Sequence, residues 1–194
     1  MDRESTARAL RHARRAGLEV NAENPEPLSS RPFAIIALGS NLGGSREILR
    51  RAMDRLQAIS SKPLLRSSLY ETAPVDCPPG SPRFINAVVV LTPKAGETPE
   101  TLLGRLQSLE KEFGRQPRKM LNEPRPLDLD LLSFGSELRS TDQLTLPHPR
   151  AHQRRFVLAP LHEIAPDYIF PRQTRTVREL LAELDATESV TRLV

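Results

Sequence analysis

Apolar runs of strand length and leucine stripes of helical period alternate along this 194-residue chain in the order β-α-β-β-α-β. That order predicts an α+β fold of the split βαβ, ferredoxin-like kind, a mainly antiparallel sheet with both core helices on one face. Gly and Pro clusters separate the runs, and the C-terminal residues after Glu137 add short helical segments expected to cover the other face.

The ordered part opens with Phe33-Ala34-Ile35-Ile36-Ala37-Leu38, a buried-strand pattern ended by Gly39-Ser40-Asn41. From Ser45 to Ile59 the apolar residues Ile48, Leu49, Met53, Leu56 and Ile59 recur at helical spacing with arginines between them. Leu64 to Thr72 and Phe84 to Thr92 read as two strands joined by the proline-rich stretch Ala73 to Arg83. A second helix runs from Thr98 to Phe113, with Thr98 as N-cap, Pro99 at the first helical position, a stripe of Leu102, Leu103, Leu106 and Leu109, and Gly114 as terminator. The last core strand is Leu127 to Leu132. A hairpin-like piece at Leu144 to Pro149 and short helices at Arg154 to His162 and Val177 to Leu184 complete the globular part, residues 32–194. Residues 1–31 read as an N-terminal extension: an arginine-rich helix at Ser5 to Leu18, then a breaker-rich stretch.

Bulk composition narrows the function classes. Hydrophobic residues make up 38% and charged residues 27%, ordinary for a globular chain, and no apolar run approaches the roughly 20 residues needed to cross a bilayer. The net charge of +4 suits nucleic acid or a phosphorylated substrate, but six Phe, two Tyr and no Trp offer little for stacking on bases. The single cysteine, Cys77, forms no internal disulfide and has no sequence partner to activate it. With no apolar leader at the start, a cytoplasmic setting is expected.

The chemistry concentrates in Arg125-Pro126-Leu127-Asp128-Leu129-Asp130-Leu131-Leu132. On a strand, a period of two sends Asp128 and Asp130 to one face and the leucines to the other. Two like charges held close call for a cation, and hard oxygen ligands suit magnesium bound together with nucleotide phosphates. The segment before it, Gly114 to Arg125, carries four cations, three of them arginines able to fork onto phosphate oxygens. Its glycine and prolines make it a loop. Each feature alone is equally compatible with a solvated amphipathic strand or a solvated basic loop; together they suit phosphoryl chemistry.

The whole series resembles the 6-hydroxymethyl-7,8-dihydropterin pyrophosphokinase family, from about Phe33 to about Pro171. The resemblance rests on Ala37-Leu38-Gly39-Ser40-Asn41-Leu42, Tyr70-Glu71-Thr72-Ala73-Pro74, Phe84-Ile85-Asn86-Ala87, Leu109 to Arg115, Pro124 to Leu132, Leu146-Pro147-His148-Pro149 and Arg154 to Leu161. It implies ATP as co-substrate, a pterin alcohol as acceptor, and Asp128 and Asp130 as ligands of two magnesium ions. Arg115 and Arg125 would serve the transfer. Asn86, Phe84 and Phe156, with groups around Thr72, Ala73 and Val75, would hold the pterin. Gln107, Glu110, Arg115, Arg118, Leu131, Thr145, His148 and Arg154 would line the ATP site. Without the resemblance, Asn86 reads as a buried strand residue, Phe84 and Phe156 as core, Glu110 as the polar face of a helix and His148 as a turn residue.

The chain departs from the family pattern in the basic loop. Asn122-Glu123 stands where many members have Trp-Gly, so the tryptophan lid is missing or replaced by Leu121 or Met120. Pro126 follows Arg125 where Thr is usual. Pro117 takes the place of a further phosphate-binding arginine, for which Arg118 or Lys119 would substitute. The rival from another class is a non-catalytic ferredoxin-like module binding RNA, and a second is a family member that has lost activity. The expected partners are ATP and the pterin alcohol, with neither nucleic acid nor membrane, on a monomer or weak homodimer.

Overall fold

The computed structural model describes residues 32–74, 80–116, 123–185 and 188–193. The N-terminal extension, Val75, Cys77, Arg118 and the middle of the basic loop lie outside the described residues. The elements are β1 (Ala34–Ser40), α1 (Ser45–Ile59), β2 (Leu65–Arg66), β3 (Tyr70–Thr72), β4 (Phe84–Leu91), α2 (Pro99–Glu112) and β5 (Asp128–Phe134). They are followed by β6 (Arg139–Ser140), β7 (Thr145–Leu146), a 3-10 turn (Ala151–Gln153), α3 (Arg155–Ile164), α4 (Val177–Glu183) and β8 (Val190–Arg192). The main sheet has the order β5-β1-β4-β3-β8, antiparallel throughout, with β2 beside β4.

Alternation along the central strands divides the residues between two layers. Ala34, Ile36 and Leu38 of β1, Ile85, Ala87, Val89 and Leu91 of β4, and Leu127, Leu129 and Leu131 form one cluster with Leu49, Ala52, Met53 and Leu56 of α1 and Leu102, Leu106 and Leu109 of α2. Helix α2 begins as its sequence specifies: the Thr98 hydroxyl accepts from Thr101 N–H at 3.2 Å and the Thr101 hydroxyl accepts from Thr98 N–H at 2.9 Å. Such a cap is worth about 1 kcal/mol. Gly114, with φ +88°, follows the last turn in a conformation that a Cβ would strain. On the other layer α3 packs against β4 and β3, burying Val157, Leu158 and Leu161.

Four features differ from the sequence reading. The apolar stretch expected as one strand from Leu64 to Thr72 is broken into β2 and β3. Leu65–Arg66 pairs with Val90–Val89 and Tyr70 pairs with Asn86, so four steps on one strand oppose three on the other. This is a β-bulge, and Ser67 fills it: its N–H donates to Val88 O at 3.0 Å and its hydroxyl accepts from Val88 N–H at 2.9 Å. A second irregularity in β5 leaves Leu132 between the partners of Ile35 and Ile36. The hairpin near Leu144 pairs Arg139–Ser140 with Leu146–Thr145, and β8, which sequence reasoning missed, extends the sheet beyond β3.

Ser67→Ala is expected to cost about 1–3 kcal/mol in urea unfolding, because the buried Val88 N–H loses its acceptor while the solvent cannot replace it. A cost near zero would show that the bulge does not depend on that hydroxyl.

Candidate active site

The site grows out of the register of β1. Gly39 pairs with Asn86 on one side and with Asp128 on the other, so the three residues stand in a row across three strands. At one strand spacing per step, about 5 Å, the amide and the carboxylate stand about 10 Å apart along the sheet. Between them the glycine leaves a floor with no side chain. A Cβ there would lie 3.0 Å from Asn86 Oδ1, 3.8 Å from Phe84 Cδ1 and 3.9 Å from Asp128 Cβ.

This floor belongs to a cleft of about 330 Å³ lined by β1, β3, β4, α2, β5 and the segment from His148 to Phe156. Most residues expected in the site line it: Thr72, Ala73, Phe84, Asn86, Gln107, Glu110, Arg115, Arg125, Asp128, Asp130, His148, Arg154 and Phe156. Asp128 and Asp130 are both half-buried, alternating with the buried Leu129 and Leu131, as the period of two requires. Two expected nucleotide residues are not brought there. Leu131 is buried in the helix-side core cluster and Thr145 is exposed on β7. Val75 and Arg118 lie outside the described residues. Gly39, Leu103 and Arg150 line the cleft without having been singled out. The role of Gly39 follows from register, which a single strand pattern does not display.

Arginines surround the acidic pair. Arg115 Nη1 donates to Asp128 Oδ1 at 2.7 Å and also to Glu110, and Arg125 Nη1 approaches the same Asp128 oxygen at 3.4 Å. Burial, and then the Asp128 charge, push the Asp130 carboxyl up to about 6 against the opposing pull of Arg154, Arg125 and Arg115. Glu110 is also raised, to about 7, chiefly by burial, although it accepts the Leu129 N–H at 2.7 Å. His148 is pushed down to about 4 by burial and by Arg154 and Arg150, so its ring is neutral at pH 7. Its Nδ1 accepts from Arg150 N–H at 3.2 Å, which assigns the ring proton to Nε2, a neutral donor for an anionic ligand.

At the β4 end of the row, Asn86 Nδ2 donates to Thr72 Oγ1 at 2.8 Å, which fixes the amide with Oδ1 toward Gly39. The Arg154 guanidinium lies 5.3 Å above the Phe156 ring. No group of three or more His, Cys, Asp or Glu that could cage a metal exists among the described residues. Two hard carboxylates in a cationic setting nevertheless fit magnesium, which keeps waters and completes its shell from substrate phosphates.

Asp130→Asn should expose the cost of that buried charge. A carboxyl whose folded pKa is raised loses stability as pH climbs from its unfolded value near 4 through about 6. In metal-free buffer the variant is therefore expected to be more stable than wild type at pH 8 by on the order of 2 kcal/mol, with the difference fading toward pH 4. Urea unfolding at both pH values measures it, and a pH-independent difference would contradict the assignment.

Comparison with known proteins places this geometry. A family model described as 7,8-dihydro-6-hydroxymethylpterin-pyrophosphokinase (HPPK) matches residues 35–166. The 2-amino-4-hydroxy-6-hydroxymethyldihydropteridine pyrophosphokinase of Haemophilus influenzae is 38% identical over 77% of this chain and 91% of its own length. The protein of the same name from Bacillus subtilis is 42% identical over 68% of this chain and 77% of its own. Among solved structures, the Plasmodium falciparum HPPK-DHPS wild type with pteroate superposes with a TM-score of 0.61 at 15% identity. The superposition covers 78% of this chain but 42% of that one, and it shows the shared ferredoxin-like fold. From the family match and the identity of these relatives, the chain belongs to the 7,8-dihydro-6-hydroxymethylpterin-pyrophosphokinase family.

Proposed function

We propose that the cleft carries out the family's reaction with Asp128 and Asp130 as magnesium ligands and Arg115 and Arg125 on the transferred phosphates. The reaction moves pyrophosphate from ATP to 6-hydroxymethyl-7,8-dihydropterin in folate biosynthesis. The hydroxymethyl oxygen forms a bond to the β-phosphorus and gives up its proton to solvent, the bond from that phosphorus to the oxygen bridging it to the α-phosphate breaks, and AMP leaves with the bridging oxygen. The observation that carries the reading is the row Asn86–Gly39–Asp128. It sets a hydrogen-bonding amide for a heterocycle edge about two strand spacings from a carboxylate pair ringed by cations.

Two magnesium ions held by the aspartates and the ATP phosphates would neutralise charge as it develops. The chain's own groups bind and orient. Arg115 and Arg125 donate to phosphate oxygens, with Gln107, Glu110, His148 and Arg154 lining the nucleotide side. Asn86, Thr72 and Ala73 meet the pterin edge, and the Phe84 and Phe156 rings its faces. Val75 and Arg118 are assigned to the pterin and ATP on the sequence resemblance alone. Leu131 and Thr145, which do not line the cleft, are likewise assigned to ATP on the sequence resemblance alone.

Residues 32–194 form the pyrophosphokinase domain in this reading, and residues 1–31 lie outside the chemistry. The proposed form is a monomer or a weak homodimer. The use of ATP and the single cysteine support a cytoplasmic setting, and no described helix is long and apolar enough to cross a membrane. An RNA-binding module would need aromatics on the central strands, whereas β1 and β4 together carry only Phe84.

A coupled assay for AMP tests the reading. Wild type should release AMP from ATP only when the pterin alcohol is present, and Asp128→Ala should lower turnover by at least about 100-fold. ADP as product, or an unaffected variant, would refute it. Gly39→Ala should raise the pterin KM by about 10-fold or more with a smaller effect on the ATP KM, because the added methyl meets Asn86 Oδ1 on the cleft floor. Equal effects on both substrates would place Gly39 elsewhere in the mechanism.

A further inference from the structure

Arg125 stands between Pro124 and Pro126, neither of which has a backbone N–H to give. Its guanidinium is loosely tied: the contact to Asp128 is 3.4 Å, and Nε is buried without a hydrogen-bond partner among the described residues. The backbone of Arg125, by contrast, is held on both sides by one residue. Arg125 N–H donates to Asn41 Oδ1 at 2.9 Å, and Asn41 N–H donates to Arg125 O at 3.2 Å.

Asn41 follows β1 directly and is 4% exposed. Its third bond leaves the phosphate side, since Nδ2 donates to Pro82 O at 3.4 Å, two residues ahead of Phe84. One buried amide thus joins the end of β1, the arginine ahead of the aspartate strand and the segment that leads into the pterin wall. A carboxamide accepts at its oxygen and donates from its nitrogen at once, so one side chain holds both segments.

We propose that Asn41 is a positioning residue for the transfer: it aims Arg125 at the phosphates by clamping its backbone and ties that aim to the segment bearing Phe84. The inference rests on the pyrophosphokinase reading of the site. Because the guanidinium itself is loosely held, it remains available to a phosphate oxygen while its origin stays fixed, which is the preorganisation that transition-state charge requires.

A double-mutant cycle tests the clamp through kcat, both KM values and thermal unfolding for wild type, Asn41→Ala, Arg125→Ala and the double variant. Asn41→Ala should lower kcat by about 10-fold or more, yet lower it less than about 2-fold when Arg125 is already gone. Asn41→Asp keeps an acceptor for Arg125 N–H and loses the donor to Pro82 O. It should return kcat to within about 3-fold of wild type while the pterin KM stays raised. Losses that multiply in the double variant, or an Asp variant as slow as the Ala variant at equal melting temperature, overturn the proposal. If Asn41→Ala does not fold, Asn41→Ser, whose hydroxyl is too short to reach Arg125, takes its place, and a wild-type kcat there overturns the clamp. If wild type releases no pterin-dependent AMP, the pyrophosphokinase reading fails by itself. The cycle is then read from the affinity of a non-hydrolysable ATP analogue, where additive losses again overturn the clamp.

Discussion

The antiparallel register of β1 against β4 and β5 is the constraint on which the rest depends. It is enforced from the helix side, where Ile36 and Leu38 lie in the same cluster as Val89, Ala87, Leu129 and Leu131. A slip of one residue would exchange the faces of the whole strand, putting leucines in the cleft and carboxylates in the core. The hydrophobic layer under α1 and α2 therefore measures the separation of Asn86 and Asp128 on the opposite face, and the spacing of two cleft groups is set by packing on the helix side of the sheet.

The electrostatics follow from that placement. Asp128 and Asp130 are fixed near each other by the strand, and burial opposes charging Asp130. Without a divalent ion the neutralising charge comes from Arg115, Arg125 and Arg154. The same guanidiniums form strong bonds to phosphate oxygens. Arg115 is shared between Glu110 and Asp128, so nucleotide and metal together can relieve a set of contacts in which each group is only partly satisfied. In the proposed reaction this would favour the loaded state, using side chains already in place.

Much of this was legible in the sequence where one element sufficed to write it. The Asp128/Asp130 face needs only a strand's period, and the Thr98 cap and Gly114 stop need only local turn chemistry. What escaped depends on relations between strands. The Ser67 bulge is invisible because Leu64 to Thr72 reads as one apolar run; only its pairing with β4 shows the extra residue. Gly39 reads as a strand terminator until Asn86 and Asp128 flank it. Strand β8 has three residues and gains its identity from β3 rather than from its own pattern. Leu131 shows the converse: the resemblance pointed it toward the nucleotide, while alternation with Asp130 already turned it into the core.

Among the described residues β5 is the last strand on its side of the sheet, and such a margin ordinarily invites a foreign strand to add on. Two of its outward backbone groups are engaged. Glu110 accepts the Leu129 N–H, and His148 N–H donates to Leu132 O. Both residues line the cleft, so groups that shape it also oppose amyloid-like stacking or edge-to-edge dimerisation at this margin. At Glu110, selection for turnover and selection against self-association would then act on one side chain.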